Sequence, residues 1–416
     1  MPISLSQFAQ NVQLEGAFEI LAVAKRLITE GKDVIELEIG DSPFPSSSSA
    51  SVAATEAISA GQTRYVPSTG VRDLREAAAE YVNREYGFDV TFENILVGPG
   101  AKNFQQLTLE LFVDPGDGVL VFSPHFPTYE TNIARRGARM VVSTLSQSSN
   151  FRPNLEDVRR FVESDPSPKV IVLNSPHNPT GGIATLDDLE QIAAIAREHN
   201  IGIFSDEPYD RMAWTHRHYA IGAMDGMLDQ SVTAYTFSKS YSMSGWRLGF
   251  AVSSKRNIAT LATLTNTALS CVSPFTQLAG AAVLRHDLAE RDQRMHEFQS
   301  RVEKLVNGLN SIAGFHCLMP GGSFYAFPCV QKLCDQFKIT SSGLAMYLLE
   351  GADEKLGVAC LGGECFGEAG SGFLRFSVTE PPERLNAAVE FIRSATADHD
   401  RVRAYVSARP KIQAST

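Results

Sequence analysis

The sequence predicts an α/β protein in which a large domain with a mainly parallel sheet is joined to a smaller α+β domain. Its 416 residues exceed the size at which one hydrophobic core usually stops growing. From about residue 92 to about residue 285, short apolar runs alternate with longer amphipathic stretches, which is typical of strands and helices that build a parallel sheet. The pattern changes after residue 285, where we expect the second domain.

Apolar periodicity predicts the individual elements of both domains. The strands of the large sheet are predicted at residues 95–97, 118–122, 170–173, 201–204, 231–235 and 248–252, and its helices at 103–112, 186–198 and 255–264. The smaller domain is predicted to contain strands at 315–318, 324–327, 358–359 and 373–378, and helices at 285–309, 341–349 and 382–394. An amphipathic helix at 18–29 is expected to join it, so we predict an N-terminal segment (1–45) that packs with the small domain, a large domain (46–285) and a small domain (286–416).

Composition limits the classes of partner. The net charge is −10 and the basic residues are spread along the chain, which argues against nucleic acid or an anionic membrane surface as a partner. No apolar run reaches membrane-spanning length and the start lacks a signal-peptide pattern, so we expect a cytoplasmic protein. The six cysteines lack Cys-x-x-Cys and paired histidine spacing, so no metal site is predicted. Small molecules are the expected partners.

Lys239 follows a predicted strand and is flanked by hydroxyl side chains. An isolated lysine is usually a solvated surface residue. Here Thr236 and Ser238 precede it and Arg247 lies eight residues further on. This arrangement suits a phosphorylated aldehyde, because the amine can form an imine while the hydroxyls and the guanidinium bind the phosphate.

The chain reads SKSYSMSGWR at positions 238–247. This segment resembles the Schiff-base motif of fold-type I pyridoxal 5′-phosphate (PLP) enzymes, specifically the aspartate aminotransferase family, with the pattern Ser-Lys-x-Tyr/Phe-x-Met-x-Gly-Trp-Arg. The resemblance extends from about residue 18 to about residue 394 and includes several motifs in the expected order. It implies PLP as the cofactor, a Schiff base on Lys239 and a seven-stranded sheet in the large domain.

Two motifs are expected to contact the cofactor ring. Asp206 ends an apolar strand, where a carboxylate can keep the pyridine nitrogen protonated, although it could instead cap a following helix. The resemblance places Asp206 at that nitrogen and Tyr209 at the ring hydroxyl. Asn178, in the segment NPTG, matches the family asparagine that contacts the same ring oxygen and lies beside the substrate.

The segment GPGAKN at 98–103 joins a predicted strand to a helix. Backbone amides at a helix start bind anions, so Gly100, Ala101 and Lys102 are expected to hold the phosphate. A dinucleotide fingerprint is a weaker interpretation, because Asn103 stands where the third glycine would be. By resemblance, Phe126 stacks on the pyridine face.

Three further residues match family positions for substrate and subunit contacts. Arg375 lies in a short predicted strand, where a solvated edge position is the simpler interpretation. The resemblance instead implies a guanidinium clamp on the substrate α-carboxylate, with the Gly40 amide as a second donor. Tyr65 matches the tyrosine that reaches the phosphate of the neighbouring subunit, which implies a homodimer.

The resemblance implies a PLP-dependent aminotransferase that moves an amino group between an α-amino acid and a 2-oxo acid. Lys239 would act as the base that removes the α-proton. The same residues assist elimination, replacement and carbon–carbon bond formation, so a specialised PLP enzyme acting on an amino acid such as S-adenosylmethionine, as in aminocyclopropane carboxylate synthases, is the alternative. A non-catalytic regulator is a third interpretation, but the chain shows no basic patch for DNA. The sequence does not identify which amino acid is used.

Overall fold

The computed structural model describes residues 3–12 and 16–414, so parts of the predicted N-terminal segment (residues 1, 2 and 13–15) and the last two residues lie outside it. The α-helices in these ranges are α1 (Gln7–Asn11), α2 (Gly16–Thr29), α3 (Ser48–Ser59), α4 (Arg72–Tyr86), α5 (Ala101–Phe112), α6 (Thr128–Arg135), α7 (Leu155–Ser164), α8 (Leu186–His199), α9 (Lys255–Ala268), α10 (Pro274–His286), α11 (Leu288–Asn310), α12 (Gln331–Phe337), α13 (Ser341–Met346), α14 (Pro382–Ala397) and α15 (His399–Ser407). The strands are β1 (Asp33–Glu36), β2 (Ile95–Gly98), β3 (Gly118–Ser123), β4 (Arg139–Thr144), β5 (Pro168–Asn174), β6 (Gly202–Asp206), β7 (Ser231–Thr236), β8 (Gly249–Val252), β9 (Tyr325–Ala326), β10 (Leu356–Ala359), β11 (Leu361–Gly362) and β12 (Leu374–Ser377). No helix in these ranges combines the length and the apolar character that crossing a membrane requires.

The largest sheet has seven strands in the order β2-β8-β7-β6-β5-β3-β4. Strand β8 is antiparallel to both of its neighbours, and the other strands run in one direction. All six predicted strands are present, which confirms the mainly parallel α/β sheet. Strand β4 was not predicted, because it lies at the sheet edge beside β3 only and is half-exposed, so it lacks a continuous buried apolar run.

Both faces of this sheet are covered by helices. Val170 and Val172 of β5 pack into the core beneath α5, α6 and α9, whereas Ile171 and Leu173 pack into the core beneath α7 and α8. Successive side chains of a strand point to opposite faces, so a strand buried on both faces is apolar at every position. This burial explains why the central strands were the clearest signals in the sequence.

The remaining strands form two small sheets. Strands β11, β12 and β9 form an antiparallel sheet in that order, and β1 pairs in parallel with β10. The predicted strand at 315–318 is wrong, because His316 makes only an isolated bridge with Cys329. The side-chain amide of Asn310 binds both the N–H and the carbonyl of Cys317, at 2.7 and 2.8 Å, and so replaces a strand partner there.

Two predicted helices differ in their bounds. The helix predicted at 285–309 begins at Leu288, because α10 ends at His286 and Asp287 separates the two helices. The helix predicted at 341–349 is α13 followed by a π-helical turn, Tyr347–Gly351. The other predicted helices are present at nearly the expected positions.

The parallel register brings the carboxyl ends of three strands together. Asn174, the last residue of β5, pairs with Asp206, the last residue of β6, and Asp206 pairs with Ala234 of β7. Thr236 ends β7 opposite Gly249 of β8. In open α/β sheets this edge is where ligands bind, so the fold places these residues at the expected site.

Gly249 allows β7, β8 and the start of α5 to approach closely. A Cβ atom at this position would lie 2.5 Å from the Tyr235 carbonyl oxygen and 3.1 Å from the Gly100 Cα. Because both neighbours are backbone, we expect Gly249→Ala to lower the free energy of unfolding by about 1–3 kcal/mol. Gly245→Ala is the matched control, since nothing lies within 4 Å of a Cβ there. Urea denaturation measures both variants, and equal midpoints would contradict this prediction.

Candidate active site

A cavity of about 540 Å³ lies at the carboxyl ends of β5, β6 and β7. It brings together most of the residues that the sequence singled out: Gly40, Ala101, Lys102, Phe126, Asn178, Asp206, Tyr209, Thr236, Ser238, Lys239, Arg247 and Arg375. Tyr65 is outside this cavity and 87% exposed, and Gly100 is not among the residues that line it. No three His, Cys, Asp or Glu side chains in the described ranges are grouped as metal ligands would be.

Lys239 follows β7 and points into the cavity, where its Nζ donates a hydrogen bond to the Gly40 carbonyl at 2.5 Å. Burial lowers the pKa of this amine to about 8, although the nearby Asp41 carboxylate opposes the shift. A larger fraction of the amine is therefore uncharged near neutral pH than for an ordinary lysine. An uncharged amine can act as a nucleophile or as a base.

Asp206 is a buried carboxyl with one oxygen unpaired. It is 8% exposed, and Tyr129 donates its hydroxyl to Oδ2 at 2.7 Å, whereas Oδ1 has no partner. Burial raises the pKa of Asp206 to about 6. The residues after β6 form a turn and no α-helix begins there, so the helix-cap interpretation is wrong. A free carboxylate oxygen that lines a cavity fits the protonated ring nitrogen of PLP.

A chain of hydrogen bonds connects the Asp206 backbone to the motif that contains Asn178. The side-chain amide of Asn174 donates to the Asp206 carbonyl at 2.8 Å, and its oxygen accepts from the Asn178 N–H at 2.9 Å. The hydroxyls of Tyr209 and Tyr325 are 2.9 Å apart. Asn178 and Tyr209 thus line the same cavity as Asp206, which fits contacts to one ring from two directions.

Arg375 is buried in the central strand of the small antiparallel sheet, so the solvated-edge interpretation is wrong. Its side chain is 4% exposed, and Nη1 donates to Asn178 Oδ1 at 3.0 Å. Its Nη2 donates to the Glu38 carbonyl. The guanidinium carbon lies 4.4 Å from the Tyr325 ring centroid and 5.0 Å from that of Phe366. A planar cation held in this way on the cavity wall can bind a carboxylate.

The other end of the cavity carries donors suited to a phosphate. Gly100 has φ +95° and precedes α5, and a Cβ there would lie 2.7 Å from Arg247 Nη2. The glycine therefore lets the guanidinium approach the helix start, where backbone amides bind anions. Arg247 is fixed by bonds to the carbonyls of Ser244 and Pro99, at 2.8 and 3.0 Å. The Thr236 hydroxyl donates to Ser238 Oγ at 2.9 Å.

Phe126 precedes α6 at the cavity wall. Its ring packs edge-on against Tyr129, with the centroids 5.9 Å apart. The Lys102 amine lies 5.0 Å from the Phe126 centroid, on a ring face. The arrangement leaves an aromatic surface beside Asp206 and Lys239 on which a planar ring can stack.

Several cavity residues were not predicted as site residues: Ala17, Ile39, Asp41, Tyr129, Asn174, Pro208, Ser244 and Tyr325. Asn174 carried a usable signal, since it directly follows the strand predicted at 170–173, at the edge where the other site residues lie. Tyr129 and Tyr325 carried none, because their hydrogen bonds to Asp206 and Tyr209 span 77 and 116 residues. Such contacts depend on the fold and have no local pattern.

Comparison with known proteins gives one consistent result. A family model described as aminotransferase class I and II matches residues 32–392. The aspartate aminotransferase of Pyrococcus horikoshii is 31% identical over 367 residues, which cover 88% of this chain and 91% of that protein. A probable aspartate/prephenate aminotransferase of Aquifex aeolicus is 33% identical over 380 residues, covering 90% and 94%.

Solved structures agree with the sequence comparison. An aspartate aminotransferase from Thermus thermophilus, solved with maleate, matches with a TM-score of 0.88 at 29% identity, and the match covers 95% of this chain and 100% of that one. These similarities confirm the predicted fold class and a PLP-dependent aminotransferase, since the family is known to use PLP, and they do not favour the alternative of a specialised PLP enzyme. This chain belongs to the class I and II aminotransferase family.

Proposed function

We propose that this enzyme moves an amino group between an α-amino acid and a 2-oxo acid, using PLP held by Lys239. One observation carries the proposal: Lys239, Asp206 and Arg375 line a single cavity. These are a lysine amine of lowered pKa, a buried carboxyl with a free oxygen, and a buried guanidinium. They correspond to the three tasks of the reaction, namely to bind the cofactor, to polarise its ring and to orient the substrate.

The residues present fit the cofactor from end to end. Arg247, Thr236, Ser238 and the amides of Gly100, Ala101 and Lys102 would hold the phosphate, Phe126 and Asp206 the ring, and Tyr209 and Asn178 its oxygen. When bound, PLP supplies an aldehyde that links covalently to amines and a ring that withdraws electrons from the substrate α-carbon. Asp206 supports this withdrawal because its free oxygen stabilises a proton on the ring nitrogen.

Lys239 is the group that moves the proton. When it is not bonded to the cofactor, the Lys239 Nζ would accept the substrate α-proton and give it back. The lowered pKa keeps a usable fraction of this amine uncharged near neutral pH. The Gly40 carbonyl, which accepts a hydrogen bond from Nζ, orients the amine on the substrate side of the cavity.

Arg375 and the Gly40 amide would bind the substrate α-carboxylate. Asn178 and the Glu38 carbonyl hold two guanidinium nitrogens, so the orientation of the cation is set before substrate arrives. Preorganised donors lose less entropy on binding than mobile ones. A carboxylate fixed at Arg375 presents the α-carbon to Lys239.

The active unit is proposed to be a homodimer, because Tyr65 has no role in its own chain's cavity. Its side chain is 87% exposed and can therefore reach a second subunit. A phenol hydroxyl supplied by the second copy would add a phosphate donor to each site.

The predicted domain limits and the predicted cytoplasmic location stay predictions. The pairing of β1 with β10 supports an N-terminal segment that packs with the small domain.

The function is tested by a half-reaction. We expect PLP-loaded enzyme to convert stoichiometrically to pyridoxamine phosphate when mixed with a donor amino acid, with loss of the near-visible absorption band and release of a 2-oxo acid. Screening single amino acids in this way, with products identified by mass, also identifies the amino acid that serves as the donor. A product that retains its amino group, or a released side-chain fragment, would contradict transamination.

Lys239→Ala isolates the role of the lysine in that assay. The variant should lack the absorption band of the lysine-linked cofactor and lose the half-reaction by a factor of at least about 1,000, because both the attachment point and the base are removed. Lys255→Ala is the control, since Lys255 is exposed and pairs with Glu93. An unchanged band in Lys239→Ala would overturn the assignment.

Asp206 gives a pH-dependent prediction. Its folded-state pKa of about 6 lies above the ordinary 3.8, so between these pH values the folded cofactor-free protein holds the proton more tightly than the unfolded chain. The free energy of unfolding therefore falls as pH rises through this window, by about 2–3 kcal/mol in total. The Asp206→Asn variant has no group that ionises at this position, so its free energy of unfolding should not show this fall.

We therefore expect cofactor-free Asp206→Asn to be more stable than the wild type at about pH 7 and similar to it at about pH 4. When both proteins are loaded with PLP, the wild type should be the more stable one, because only a carboxylate would pair with the protonated ring nitrogen. Urea denaturation at several pH values, with and without cofactor, measures both. Parallel pH profiles for the two cofactor-free proteins would count against the assignment.

Tyr65→Phe tests the proposed dimer. Loss of one hydroxyl donor to a phosphate should weaken PLP binding about tenfold. In a hybrid of one Tyr65→Phe subunit and one Lys239→Ala subunit, the site that keeps Lys239 would receive Tyr65 from the other subunit and regain wild-type affinity. Titration of the absorption band reads this site alone. Weakened binding in the hybrid would show that Tyr65 acts within its own chain.

A further inference from the structure

Glu38 is a buried carboxyl that the proposed reaction does not use, one residue before the cavity residue Ile39. Its side chain is 0% exposed, and neither carboxylate oxygen has a hydrogen-bond partner. Its backbone carbonyl accepts a hydrogen bond from Arg375, whose Nε is also without a partner. A buried ionised carboxylate without partners is costly, and burial accordingly raises the pKa of Glu38 to about 7.

The charged and titratable groups around Glu38 come from every neighbouring element. Glu36 at the end of β1 and Lys25 from α2 form an ion pair at 2.7 Å, and they act on the pKa of Glu38 in opposite directions. Cys360, between β10 and β11, is a neutral thiol, because burial and then the Glu38 charge raise its pKa. Arg375 from β12 is the cation near Glu38 that also lines the cavity, and it is bonded to the Glu38 carbonyl. A charge on Glu38 therefore reaches the guanidinium that is proposed to bind the substrate.

We propose that the protonation state of Glu38 sets how tightly Arg375 binds the substrate α-carboxylate. When Glu38 is protonated, the guanidinium interacts with the substrate carboxylate alone. When Glu38 is ionised, its carboxylate attracts the same guanidinium and weakens substrate binding. This inference rests on the role given to Arg375 in the proposed function. Glu38 does not line the cavity, so it acts through Arg375 as a positioning residue. By linkage, a bound carboxylate must favour the protonated form of Glu38, and substrate binding must take up protons.

The ionisation of Glu38 determines how the affinity for the substrate carboxylate changes with pH. Below about pH 7 Glu38 is neutral and the carboxylate binds tightly, and as pH rises through 7 the affinity falls. An ionised carboxylate that interacts with the same guanidinium in a partly buried site lowers the affinity about tenfold. The limiting rate at saturation should not change, because Glu38 contacts neither the substrate nor Lys239.

The test uses PLP-loaded enzyme and 3-phenylpropanoate, a carboxylate without an amino group. Calorimetric titration from about pH 6 to about pH 8.5, in two buffers of different ionisation enthalpy, gives the Kd and the protons taken up. Glu38→Gln keeps the shape but cannot ionise, and Glu30→Gln, at an exposed carboxylate that pairs with Arg26, is the control. We expect the wild-type Kd to rise about tenfold relative to that of Glu38→Gln over this pH range, and we expect Glu30→Gln to follow the wild type. Parallel profiles for wild type and Glu38→Gln would overturn the proposal.

Arg375→Gln separates this inference from the function it rests on. If Arg375 binds the carboxylate, this variant binds the probe about a hundredfold more weakly at every pH. Unchanged binding would remove the proposed carboxylate site and the role of Glu38 with it. Weakened binding, together with parallel profiles for Glu38→Gln and wild type, would remove the role of Glu38 alone.

Infrared difference spectroscopy of the wild type provides a readout that needs no variant of Glu38. A protonated buried carboxyl has a C=O band that an ionised one lacks. We expect this band to fade as pH rises through about 7 and to return when 3-phenylpropanoate binds. A band that does not return on binding would contradict the proposed competition for Arg375.

Discussion

The guanidinium of Arg375 is the point at which three distant parts of the chain meet. It donates to Asn178 in the loop after β5 and to the Glu38 carbonyl near β1, and it stacks between Tyr325 and Phe366. Each contact satisfies a buried cation that would otherwise be costly to remove from water. Because the same cation faces the cavity, the arrangement that joins these segments also orients the proposed substrate.

Two groups at the site, Asp206 and Lys239, have pKa values shifted in opposite directions. Asp206 and Lys239 are both perturbed chiefly by burial, which raises the pKa of the acid and lowers that of the amine. Each shift brings the group closer to neutrality at ordinary pH. PLP bound as proposed would place a protonated nitrogen beside Asp206 and would take up the Lys239 amine in a covalent bond, so that burial would cost both groups less in the loaded protein. Perturbed groups of this kind are typical of functional sites.

Much of the fold was predictable because the central strands are buried on both faces and the amphipathic helices cover them. The failures have physical causes: β4 is a half-exposed edge strand, and residues 315–318 are mostly apolar but have Asn310 as a partner in place of a strand. The motif residues came from the resemblance, and all of them except Gly100 and Tyr65 line one cavity. The contacts of Tyr129, Tyr325 and Glu38 could not be predicted, because each depends on segments far apart in the chain.

The close approach at Gly249 has a consequence for redesign of this enzyme. Near Arg247, Gly249 packs against the backbone of Tyr235 and Gly100, which leaves no room for a side chain at this position. Phe18 and Ile39 also line the cavity, and their side chains can be varied in size and polarity. A combinatorial library aimed at new amino-acid substrates would therefore be richer in folded members if it varied Phe18 and Ile39 and left Gly249 unchanged.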